Sequence, residues 1–87
     1  MKTIHKFPLK CVDHQTVEMP EHAKVLTVQM QHGQPCLWAL VETENLLAPR
    51  NFITRGTGHP VPSEWVEYVG TYQLRNEDLV FHVMEVT

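Results

Sequence analysis

"KVLTVQMQHGQPCLWALVE", Lys24 to Glu42, is the stretch that decides the fold. In its first half Leu26, Val28 and Met30 alternate with Thr27, Gln29 and Gln31, the period of two that turns one side of a strand inward. "HGQP" (His32 to Pro35) is a cluster of turn formers. "CLWALVE" then runs apolar on both faces, the pattern of a strand in the middle of a sheet. Together they predict a β-hairpin.

The same grammar extends outward. "EWVEYVGTYQL" sets Val66, Tyr68, Tyr72 and Leu74 against Glu67, Thr71 and Gln73, "RNED" (Arg75 to Asp78) turns, and "LVFHVMEV" returns as a second hairpin. Gly70 stands where a side chain belongs, which predicts a bulge or a close backbone crossing. "TIHKFPLKC" and "TVEM" are short strands, with Pro8 marking the first as an edge or a kink. "NFITR" is a further strand, following the loop "ETENLLAPR". A turn near Ser63 and another in "ENLLA" are the helical candidates. The expectation is an all-β domain over residues 1–87, a small antiparallel β-sandwich or partly open barrel of about six or seven strands.

Eighty-seven residues hold one core. A domain this small gains from self-association, so a homo-oligomer is expected. The net charge of −3 and the absence of a Lys/Arg cluster exclude a general nucleic-acid coat. Protonating the six histidines between about pH 7 and 5.5 would carry that charge through zero. Met1 to Lys6 leads into no sustained apolar run, and the longest one, Cys36 to Val41, is far short of the ~20 residues of a membrane helix. Two cysteines do not make a disulfide scaffold, so both are expected reduced in a cytoplasm.

"RGTGHP", Arg55 to Pro60, is the candidate ligand site. Gly56 and Gly58 allow successive N–H groups to form an anion-holding nest. Arg55 can grip a phosphate through two parallel bonds, Thr57 adds a hydroxyl and His59 a switchable donor. Trp65 or Tyr72 would supply a stacking platform if it faced outward. Against this, two glycines and Pro60 also make an ordinary bend, and neither GxGxxG nor GxxxxGK[ST] is present. Cys11-x2-His14 and His32-x3-Cys36 could be halves of a zinc site, but both spacings are ordinary for turns, so no metal or cofactor is expected. Ser63, the sole serine, is expected to cap a turn. His82, between Phe81 and Val83, is expected to be a cross-strand packing residue. No catalytic residue stands out, and an enzyme using Cys or His ranks behind binding.

"MP-x2-AKVLTVQMQ-x-GQPCLWALV", "GTGHP-x-P", "YVGTYQL" and "LVFHVMEV" resemble a family of small uncharacterised proteins of tailed bacteriophages and bacterial prophages. The likeness covers nearly the whole chain, with residues 42–50 as its variable segment. It implies an accessory protein acting in a bacterial host cell, one that blunts host defence or adjusts host machinery. Such a protein would sequester a small anionic, nucleotide-like ligand in pockets of an oligomer. The alternative it implies is an inhibitor of a host protein, acting through a strand edge or an aromatic patch.

Overall fold

The computed structural model describes residues 1–62, 66–74 and 78–87. They form seven strands: β1 Lys2–Pro8, β2 His14–Pro20, β3 Lys24–Gln31, β4 Gln34–Glu42, β5 Leu47–Gly56, β6 Val66–Leu74 and β7 Leu79–Val86. All pairings are antiparallel. One sheet has the order β1-β4-β3 and the other β2-β5-β7-β6. This is a β-sandwich, and no helix occurs among the described residues. The Cα envelope is 40 × 32 × 16 Å, short along the axis on which two sheets stack about 10 Å apart.

The hairpin at Lys24 to Glu42 forms as its pattern predicts. His32 and Gly33 take φ of 51° and 77°, the double positive φ of the two-residue turn whose twist suits paired strands. β4 lies between β1 and β3, and β1, which carries Pro8, is an edge. Leu37, Ala39 and Val41 point from β4 into the core with Leu9, Met19, Val28, Phe52, Tyr72 and Val83. Gln15 ties down the bend between the sheets, donating to the Lys10 carbonyl at 2.8 Å and accepting from the Lys10 N–H at 3.0 Å.

The structure corrects three expectations. Leu26 is 43% exposed rather than inward, because the register shifts between Val25 and Thr27 and breaks the alternation. "ENLLA" is not helical: the chain turns at Thr43–Glu44, and strand β5 begins at Leu47, well before "NFITR". Tyr68 and Tyr72 lie on opposite faces, since a second register shift between Tyr68 and Gly70 adds a residue. The expected turns at Ser63 and at Arg75–Glu77 lie outside the described residues.

In the four-stranded sheet two stretches are buried on three consecutive positions: Phe52-Ile53-Thr54 in β5 and Val83-Met84-Glu85 in β7. A half-covered sheet would bury every second residue. The four-stranded sheet is therefore covered on both faces, by the other sheet and by the segment leaving β5. That segment is the "RGTGHP" loop.

Candidate functional site

The loop is built as a clasp. Gly56 and His59 close a turn through a 3.1 Å bond from the His59 N–H to the Gly56 carbonyl. Gly58, at φ 88°, takes the position that needs a left-handed backbone. A Cβ on Gly56 would stand 3.1 Å from the His59 imidazole, so the ring folds back over that glycine. Arg55 then ties the loop to the sheet. Its Nε donates to the Pro60 carbonyl at 3.2 Å, and its Nη1 to the carbonyls of Asp13 and Thr54, both at 3.0 Å.

The backbone nest expected of the glycines does not form. The Thr57 N–H donates to the Val80 carbonyl at 3.3 Å, and the His59 N–H is spent on the turn. Arg55 likewise serves the fold first, with only Nη2 lacking a partner among the described residues. What the loop offers a ligand is side chains, and these converge with residues that lie far away in sequence.

That convergence runs through His82. β7 places His82 across from Arg55 of β5 and Thr71 of β6. Thr57 Oγ1 lies 2.7 Å from Nε2 of the imidazole. Tyr68 Oη lies 2.7 Å from Nδ1, and Thr71 Oγ1 closes the chain against Tyr68 Oη and Nδ1. Each hydroxyl can donate or accept, so the ring is held in place in either tautomer. A groove of about 260 Å³ opens here, lined by Arg55, Thr57, His59, Tyr68, His82 and Met84 together with the loop's glycines and Val61. Its walls carry one guanidinium, two imidazoles and two hydroxyls, with no carboxylate among the described residues. In a chain of net charge −3 it is a locally basic site.

Arg55, Gly56, Thr57, Gly58 and His59 thus share one groove. Trp65 lies outside the described residues. Tyr72 is not part of it: it is 3% exposed in the core, its phenol 3.5 Å from the Cys11 sulfur, and its ring packs on Phe81. Burial, followed by that Cys11 contact, pushes the Tyr72 phenol far up from its ordinary value. The register shift before Gly70 explains the exchange, turning Tyr68 rather than Tyr72 toward the loop. His82 was the residue missed. Its neighbours Phe81 and Val83 suggest packing, and nothing in sequence pairs it with Thr57 or Tyr68.

A second polar site sits between the sheets. Arg50 and Glu85 form a two-pronged ion pair, Nη2 to Oε1 at 3.0 Å, and Arg50 Nη1 donates to the Ala23 carbonyl at 2.8 Å. The Glu85 bond holds the Arg50 guanidinium above its ordinary value. Its partners are satisfied, so it is best explained as structure. Cys11 and Cys36 belong to different parts of the fold, one exposed and one buried, and no group of three potential metal ligands occurs among the described residues.

Fold and groove define a class: a two-sheet antiparallel β-sandwich whose strand-to-strand loop folds over one outer face to enclose a basic cleft. The chain belongs to the family described as Domain of unknown function (DUF7352), whose model matches residues 1–87. No curated protein and no solved structure matches the chain. Among the described residues no helix is long and apolar enough to cross a membrane.

Proposed function

We propose that this protein is a non-enzymatic binding protein that holds a small anionic ligand, of phosphate-bearing nucleotide type, in the groove between the "RGTGHP" loop and the four-stranded sheet. The observation that carries the reading is the convergence of Arg55, Thr57, His59, Tyr68 and His82 on one cleft that no carboxylate lines among the described residues. Guanidinium, imidazole and hydroxyl groups are donors suited to phosphate oxygens. The likeness to small phage proteins supports sequestration of such a ligand in a bacterial host as its use.

Thr57, His82 and Tyr68 also stand in the order of a nucleophile, a base and an orienting group. A hydrolase would further need donors for a developing oxyanion. The Thr57 and His59 N–H groups are already committed to carbonyls, which favours binding over chemistry.

The test is a titration with inorganic phosphate and with adenosine monophosphate, followed through the imidazole resonances of His82 and His59. Both should shift saturably. Thr57→Val, which removes a hydroxyl, and His82→Phe, which removes the ring that orients the Thr57 and Tyr68 hydroxyls, should each weaken binding about tenfold or more while keeping the fold. Arg55→Ala is a poor probe, because it also releases Asp13 and Pro60. Unmoved imidazoles at saturating anion would refute the reading.

A further inference from the structure

The outer face of the three-stranded sheet lies on the opposite side of the molecule from the groove. Alternation along β4 sends Leu37, Ala39 and Val41 inward and leaves Trp38 and Leu40 on the other face, both half-buried and outside the core cluster. Register adds Ile4, opposite Leu40 and 56% exposed. The face is therefore apolar at its centre, and no element of the chain's described residues covers it.

Its rim is basic. Lys6 pairs in register with Trp38, Lys24 with Leu40 and Lys2 with Glu42, so three of the chain's four lysines share this face. At this end of the face the Met1 amino group is shared by two carboxylates, Glu42 at 2.8 Å and Glu44. Lys2, Lys6 and Lys24 make no ion pair among the described residues, and with the amino group they set four cations against these two carboxylates around Ile4, Trp38 and Leu40.

We infer that this face is a docking surface for a protein segment that carries acidic residues around an apolar anchor. A second copy stacked face to face would set two such lysine groups against each other, and like charges opposed across an interface are costly. Single-stranded nucleic acid would meet one aromatic ring beside Ile4 and Leu40, which do not stack bases. An acidic segment answers both features at once: its apolar side chain covers Ile4, Trp38 and Leu40, and its carboxylates meet Lys2, Lys6 and Lys24.

The experiment is a chemical-shift titration of the isotope-labelled protein with a short synthetic peptide bearing leucine and phenylalanine flanked by glutamates. The comparators are the same peptide with lysines for glutamates, and a short oligothymidylate. The acidic peptide should shift the amides of Ile4 and Leu40 and the Trp38 indole, less so as salt rises. Lys2→Glu with Lys24→Glu should weaken it about tenfold, and Ile4→Ser should weaken it without loss of fold. Equal binding of the lysine peptide, binding of the oligothymidylate at this face, or shifts that track protein concentration alone would each overturn the inference. The last would mark the face as a self-contact. None of these outcomes bears on the groove, whose resonances lie on the other sheet.

Discussion

Gly70 of β6 lies directly against Val28 of β3: a Cβ built on the glycine would stand 3.0 Å from Val28 Cγ1. Here β3 of one sheet and β6 of the other come into close contact. The missing side chain lets the strands close, and the register shift beside it sends Tyr68 to the His82 cluster and Tyr72 to the core.

Gly70→Ala should therefore destabilise the protein by about 1–2 kcal/mol through overpacking, since Val28 is buried and cannot swing away. In a Val28→Ala background the same change should cost much less. Denaturant unfolding of the four proteins in the cycle measures the coupling. Additive losses would mean that the contact does not limit the approach.

Breaking the Arg50–Glu85 pair leaves a mostly buried charge without its partner. Glu85→Ala should cost about 2 kcal/mol, at the low end for such pairs because Arg50 keeps some contact with water. The joint replacement Arg50→Met with Glu85→Leu should cost less than the single change. Urea midpoints at constant slope would show this.

Tyr72 gives the protein an alkaline limit. Its phenol is raised in the folded state by burial and by Cys11, so the folded chain keeps a proton that the unfolded chain loses above about pH 10. That contribution is fully present below pH 10 and is lost as pH climbs beyond it. Stability should fall there, and Tyr72→Phe should flatten the fall. Phenolate absorbance followed together with circular dichroism should show one tyrosine ionising only as the chain unfolds.

Lys6 reaches from edge strand β1 to Gln31 of β3, 2.6 Å away, and so crosses the central strand over Cys36. This accounts for a thiol that is 2% exposed on the outward face. Lys6→Ala should speed alkylation of Cys36 in the native protein, with the already exposed Cys11 as internal reference. An unchanged ratio of the two rates would assign the cover to other groups.

Much of the fold was legible because strand periodicity and turn chemistry are local. The hairpin declares itself in the alternation of Val28 and Met30 and in the turn formers of "HGQP", although Gln34 and Pro35 already belong to β4 and its two apolar faces do not tell which one turns inward. The two register shifts were not legible, or only as a glycine out of place, because a bulge reflects what a strand meets across the sandwich. They misplace Leu26 and exchange Tyr68 with Tyr72. The candidate site was half legible for the same reason. Arg55 to His59 form one contiguous loop, whereas His82, Tyr68 and Thr71 join them only through pairing between strands.

The most direct test of the ligand-binding groove is the affinity of adenosine monophosphate, measured against that of adenosine, for the protein and for its His82→Phe form. The account predicts saturable binding of the nucleotide, at least about tenfold weaker binding of the uncharged nucleoside, and loss of that preference in His82→Phe. Equal affinity for the two, or a preference unchanged by the substitution, would contradict it.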